Sequence, residues 1–201
     1  GSVPTTASKK YNSPLTVNTT TTIKAIAVNN KAQSSYVTTA KYWETPHDWN
    51  ITLNTKYEHE YTAGGDQALI DGIRGEADWR KGNWQGYQNV DMDVTIDMKS
   101  QRSISTVTGG FLQDTRSWII VPRQFIIEVS TDGKQYSQVY MSDNFLPIED
   151  MNVQVKQIVA KFSPVTARYV RIKAIQYGAL PSWHESAGSP SHLFVDELNI
   201  Q

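Results

Sequence analysis

Between residues 91 and 98 the side chains alternate without a break: Asp91, Asp93, Thr95 and Asp97 interleave with Met92, Val94, Ile96 and Met98. A period of two marks a strand with one buried and one wetted face. A chain carrying such a strand must supply a sheet, and a second layer to cover its apolar side. Shorter runs of the same kind predict further strands over 49–53, 104–111, 125–129, 136–141, 153–162, 168–177 and 193–200. In the third of these Phe125, Ile127 and Val129 share a face; in 168–177, Val170, Ile172 and Ala174 oppose Tyr169, Arg171 and Lys173. Asp132-Gly133 supplies a hairpin turn. No segment has a convincing helical period and no internal repeat interrupts the pattern, so the expected fold is an all-β sandwich.

The bulk numbers narrow the function. At 201 residues the chain holds one large β domain, or one of ordinary size and a small one. Nineteen lysines and arginines face 20 acids, so nothing basic is in excess to meet a phosphate backbone, and nucleic acid is not expected as a partner. Cysteine is absent, which removes disulfides and thiolate chemistry. No apolar run reaches the length of a membrane helix, and no signal peptide is visible, as holds for an internal piece of a secreted protein. His47, His59, His184 and His192 lack a serine elbow or metal spacing, and no phosphate-binding glycine loop is present. Glu58-His59-Glu60 reads as a solvated loop, since neighbours on an extended chain point to opposite sides. The chain is therefore expected to catalyse nothing by itself.

The turn Leu69-Ile70-Asp71-Gly72 puts a carboxylate beside a glycine free to take positive φ, with several carbonyl oxygens near it. Calcium takes six to eight oxygens, many of them carbonyls. Asp71 is thus a candidate ligand that needs help from elsewhere, and Phe194-Val195-Asp196-Glu197-Leu198 offers it.

The Asp71-Gly72 turn followed by Trp84, the Val94-Ile96-Asp97 strand, the Ser130-Thr131-Asp132-Gly133 hairpin, the strand through Tyr169-Val170-Arg171-Ile172, and the closing 194–198 run together resemble the discoidin, or coagulation factor five/eight type C, domains. Within that group they resemble the family 32 carbohydrate-binding modules. The resemblance spans the last three quarters of the chain and implies a jelly-roll sandwich. It also implies a structural calcium held by the Ala68 carbonyl and the Asp71 and Glu197 carboxylates. The sequence departs from the usual pattern at Ile73-Arg74-Gly75, which leaves Gly75, Glu76 and Asp78 as candidates for the remaining ligands. The alternative is that Asp71 caps its own turn and Glu197 is solvated. Asp196-Glu197 also matches the catalytic pair of hexosaminidases, but in a strand the two side chains are expected on opposite sides, unable to flank one glycosidic bond. The chain is moreover shorter than a barrel of about 250 residues.

Gly1-Ser2 has the look of an expression scar. Yet Gly1-Ser2-Val3-Pro4-Thr5, Lys10 to Leu15 and Thr22-Ile23-Lys24-Ala25 resemble the second half of the small β domain that follows the catalytic domain in chitobiases and β-hexosaminidases. The first strand of that pattern is missing, which leaves an edge for an upstream strand to cover. Asn29-Asn30-Lys31 is the expected turn and 34–42 the returning strand. Pro46 interrupts the ladder and marks 43–49 as linker. The expected division is 1–44 for the small β domain and 45–201 for the sandwich.

A pyranose presents an apolar face and a rim of hydroxyls, so its site needs an exposed ring and planar polar groups. Gln113-Asp114-Thr115-Arg116-Ser117-Trp118 and Trp183-His184-Glu185 carry that mixture. By the family resemblance they correspond to the loops that hold the sugar, with Trp183 as platform and Arg116, Asp114 and His184 on hydroxyls, Gln113 beside them. Trp79-Arg80 is a third candidate pair. Trp118 precedes Ile119-Ile120-Val121 and reads as core, Trp183 stands evenly between core and ligand, and Arg116 with Asp114 could form a plain surface ion pair. The expected partners are a galactose- or N-acetylhexosamine-type glycan and an upstream catalytic domain of a secreted, periplasmic or cell-surface glycoside hydrolase. The competing readings are a discoidin-type domain that meets a protein or lipid head group, and a brace for the catalytic domain. The polar, aromatic loops favour sugar over lipid.

Overall fold

The computed structural model describes residues 2–42, 44, 46–142 and 147–201; Trp43 and Thr45 of the expected linker fall outside them. The chain divides into two compact units, Gly1–Thr45 and Pro46–Gln201.

In the first unit β1 (Thr21–Ala25) pairs antiparallel with β2 (Thr38–Tyr42). Between them the Asn29 side chain accepts from the backbone N–H groups of Lys31 and Gln33 at 2.9 and 3.0 Å, closing the turn locally. No described residue of this unit is fully buried. A two-stranded ribbon of this kind is marginal in water, so the fold's stability resides in the second unit.

There the strands are β3 (Asn50–Leu53), β4 (Gln85–Gln88), β5 (Met92–Gln113), β6 (Gln124–Ser130), β7 (Ser137–Ser142), β8 (Gln154–Ile175) and β9 (His192–Ile200), all paired antiparallel. Four separate strands were expected over 92–111 and 153–177; the structure has two of 22 residues each. The ladder between β5 and β8 shifts register between Asp97 and Arg102 and again between Ile104 and Thr106. These irregularities bend both strands without ending them. Pro164 lies opposite the second shift, where its missing N–H costs no ladder bond.

The bend makes the sandwich. The first half of β5 and the second half of β8 lie with β3, β6 and β7, whereas their other halves lie with β9 and β4. One core fills the space between: Met92, Val94, Ile96 and Met98 meet Val170, Ile172, Phe125 and Ile127 from the first layer, and Val107, Phe111, Ile158, Leu193, Val195 and Leu198 from the second. The alternation at 91–98 thus places its apolar face as expected. A smaller cluster of Trp84, Leu112, Ile119 and Phe194, flanked by Tyr61 and Trp79, packs under the loops.

Candidate functional site

The acidic turn follows a short 3-10 turn, Ala68–Ile70, whose three residues are all buried. Gly72 takes φ 82°, and its N–H donates to Glu197 Oε2 at 3.0 Å. Asp71 Oδ1 accepts from the Ile73 N–H at 2.8 Å, so it does cap its own turn. Glu197 is 2 % exposed, which overturns the alternative that it is solvated. The expectation that Asp196 and Glu197 point apart is also corrected. Between Gly109, opposite Leu198, and Phe111, opposite Val195, the register of β9 slips. Both acids therefore reach the same turn: Asp196 accepts from the Gly75 N–H at 3.0 Å and pairs with Arg74 at 3.2 Å, while Glu197 meets Gly72.

Burial pushes the Glu197 carboxyl up to about 8, against the Gly72 hydrogen bond and with the Asp71 charge adding to it. Burial likewise raises Asp196 against Arg74, and raises Asp71 against the Ile73 N–H. The turn is short of positive charge. Among the described residues no group of three or more histidines, cysteines or acids could hold a metal. The Asp71 and Glu197 carboxylates fit calcium only as the two charged members of a set completed by carbonyls, with Ala68 at the same turn. Glu76 pairs with Lys81 at 2.7 Å and Asp78 accepts from the Arg80 N–H at 3.3 Å, both outside this arrangement. Gly75 has a packing reason of its own: a Cβ there would lie 2.1 Å from the Trp84 ring.

At the loops, Gln113 ends β5 fully buried, its amide donating to the carbonyls of Pro147 and Asp150 at 3.0 and 3.1 Å. Asp114 is buried and starts the 3-10 turn Thr115–Ser117; it forms no ion pair with Arg116 among the described residues. His184, expected on a sugar hydroxyl, is 6 % exposed. Its Nδ1 accepts from the Ser186 N–H at 3.1 Å, which leaves Nε2 to donate to the Thr115 carbonyl at 2.9 Å. Both ring nitrogens are spent inside the protein. The bond to Thr115 nonetheless ties the two expected loops together, with exposed Arg116 next to one end of it and Trp183, 44 % exposed, next to the other. Trp118 packs against Ile120, Ile148 and Leu180 as expected of core.

Trp79 and Arg80 line a cavity of about 530 Å³ with Tyr61, Thr62 and Asn83. The Arg80 guanidinium sits 4.4 Å from the Trp79 ring centroid, and the buried Trp79 indole N–H has no partner within the described protein. Tyr61 was not legible as a lining residue, because its loop reads as solvated. Non-local bonds bring it in: Gly86 N–H donates to the Tyr61 carbonyl at 3.0 Å, and Thr62 bridges to Gln85. Of the Glu58-His59-Glu60 run, Glu60 joins this lining and lies 3.0 Å from the exposed His59 ring.

Residues 50–192 match the family model of the F5/8 type C domain, nearly three quarters of the chain. The chain belongs to the F5/8 type C domain family. Residues 1–42 match a second model, Fn3 associated. Among solved structures the F5/8 type C unit is similar to CBM32-3 from a family 31 glycoside hydrolase of Clostridium perfringens, at 14 % identity and TM-score 0.50 over 76 % of this chain and 89 % of that one. The CBM32-5 module of CpGH89 from the same organism, in complex with GalNAc-β-1,3-galactose, aligns at 16 % identity and TM-score 0.47 over 76 % and 94 %. Chitosan-binding module 1 of a Paenibacillus sp. IK-5 chitosanase/glucanase aligns at 14 % and 0.48 over 77 % and 96 %. At its identity the likeness to CBM32-3 establishes the fold alone. A comparison with curated proteins returned no match.

Proposed function

We propose that this chain is a non-catalytic carbohydrate-binding module that holds a parent glycoside hydrolase at its glycans. The observation that carries the reading is Trp183, a large ring 44 % exposed on a loop whose next residue is locked to the Arg116 loop by a 2.9 Å hydrogen bond. A platform fixed before binding costs little ordering when the sugar arrives. Arg116, exposed on that second loop, supplies planar donors. The fold shared with CBM32-3 supports the reading. The parent is proposed as a β-N-acetylhexosaminidase-like, secreted, periplasmic or surface enzyme on the chitobiase-like resemblance of residues 1–44, and the glycan as galactose- or N-acetylhexosamine-type. Its role is proximity: one anchored module raises the local concentration of substrate around the enzyme. The cavity at Trp79 and Arg80 supports a second placement of the sugar, because a concave site that sets a guanidinium beside an aromatic ring suits a pyranose. We further propose a structural calcium at Asp71, Glu197 and the Ala68 carbonyl.

A glycan array with calcium present tests both placements. Trp183→Ala is expected to lower binding at least tenfold, the scale of losing a central aromatic anchor, with Trp79→Ala nearly silent. The reverse ranking moves the sugar to the Trp79 cavity, and a blank array from folded protein overturns the reading.

A further inference from the structure

The loop that carries Trp183 is closed on itself except at one point. At its base the Leu180 N–H donates to the Ser189 carbonyl at 2.8 Å and the Gly188 N–H to the Leu180 carbonyl at 2.9 Å. The buried Leu180 side chain packs with Ile120 and Ile148. Above that base the tip makes only turn bonds: His184 N–H to the Pro181 carbonyl, Ala187 N–H to that of His184, Ser189 N–H to that of Ser186. Among the described residues, the one hydrogen bond from 182–188 to anything outside 180–189 is that of His184 Nε2 to the Thr115 carbonyl, at 2.9 Å. Its anchor is firm. Thr115 is fully buried, its carbonyl also accepts from the Trp118 N–H at 3.0 Å, and its hydroxyl donates to the Ile148 carbonyl at 3.0 Å.

This strut exists in one protonation state. A backbone N–H can only donate, so Nδ1, which takes the Ser186 N–H at 3.1 Å, carries no proton; the single ring proton sits on Nε2 and faces Thr115. A second proton on Nδ1 would point at the Ser186 N–H, strip that donor of its acceptor and leave a cation in a buried site. The imidazolium is relieved only by turning out toward water, and Trp183, the preceding residue, whose ring centroid stands 5.8 Å from that of the imidazole, moves with it. The charged groups on the elements that meet the ring are Asp114 and Arg116 on the 3-10 turn, Glu185 on its own loop, and Glu149 and Asp150 on the segment that receives the Thr115 hydroxyl. Among the described residues none of them bonds to the ring, and Asp150 spends its carboxylate on Asn152 and Gln154. A nearby acid favours a cation, but it supplies Nδ1 with no acceptor while the Ser186 N–H fills that place.

We propose that His184 is a positioning residue for Trp183 that works only as the neutral imidazole, so that acid frees the platform and weakens sugar binding. The inference rests on the Trp183 placement of the sugar but fails separately from it. NMR spectra of the full chain are recorded from about pH 8 to pH 5, the range in which histidines change charge. The His184 ring nitrogens, the Ser186 amide and the Trp183 indole N–H are expected to titrate together. The galactose- or N-acetylhexosamine-terminated glycan that the array holds best is titrated at both ends of the range, with calcium present, and is expected to bind at least fivefold more weakly in acid. Two variants separate the two ring bonds. His184→Gln sets an amide donor about where Nε2 stands and gains no proton; His184→Asn sets an acceptor about where Nδ1 stands and falls short of Thr115. His184→Gln is expected to bind within threefold of the original at the upper pH and to lose under twofold in acid, and His184→Asn to bind at least fivefold more weakly throughout. A ring that stays neutral across the range, a His184→Gln variant that keeps the acid loss, or a His184→Asn variant that binds like the original overturns the inference. If Trp183→Ala silences the array while the Ser186 and Trp183 signals do not follow the ring, the strut is overturned and the loop reading stands. If those signals follow the ring while no glycan depends on Trp183, the loop reading falls and the acid-sensitive joint stands.

Discussion

Gly75 shows how a single residue can carry two meanings in the sequence. Its place in the acidic turn made it a candidate ligand, yet what demands glycine there is the Trp84 ring, 2 % exposed and pinned through its indole N–H to the Glu76 carbonyl at 3.0 Å. A methyl group at Gly75 would overlap that ring at 2.1 Å. Gly75→Ala is expected to destabilise the second unit by about 1–3 kcal/mol, the usual cost of overpacking, measured as a lower denaturation midpoint with an unchanged slope. His184 was misread for a related reason. A histidine beside an exposed tryptophan suits a sugar site, but the sequence cannot tell that Thr115 and Ser186, one of them 69 positions away, absorb both nitrogens. Trp183 itself was legible as a candidate because it follows a proline in a polar loop, whereas its exposure was not.

At the scale of elements, alternation located nearly every strand and which of its sides is core, because each inward position is fixed locally by the pleat. It did not reveal that four runs are two bent strands, nor that β9 slips register at Asp196 and Glu197. Bulges depend on the partner strand, which no local pattern contains. The same pairing sets the acid response. Arg168 holds the Asp97 carboxyl below the usual carboxylate range; burial opposes ionisation of Asp93, but Arg171 and Asn54 outweigh it and lower that group as well. Both acids thus bind protons more weakly folded than unfolded. Their contribution is present above the unfolded value near 3.8 and is lost as pH falls through the lowered folded values. Thermal unfolding followed from pH 6 to 2 is expected to show a falling melting temperature below about pH 4. The Asp93→Asn, Asp97→Asn double variant is expected to start lower and fall less steeply. An acid limb as steep as that of the original protein would show that these pairs do not set it.

For the whole molecule, the question is what keeps two buried acids tolerable at the joint between the 71–75 turn and β9. Glu197 stands 2 % exposed with one backbone N–H and no ion pair among the described residues, beside an Asp71 that adds to its burden. An uncompensated buried carboxylate is costly, and a calcium ion drawing on Asp71, Glu197 and the Ala68 carbonyl would relieve it. Such an ion would tie the turn, which is 125 positions away from Glu197 in sequence, to the closing strand. Ligand that binds only the folded state at 100 times its dissociation constant stabilises by about 2.7 kcal/mol. Calcium is therefore expected to raise the melting temperature of the second unit by several degrees over a chelator-treated sample, with magnesium much less effective, since it demands tighter octahedral geometry. In Glu197→Gln the neutral amide removes the burial cost and the ligand together, so the chelated variant should melt at or above the chelated original, with its calcium increment gone. A calcium increment that survives in Glu197→Gln would place the ion elsewhere. No increment in the original protein would leave Asp71 as a turn cap and nothing more.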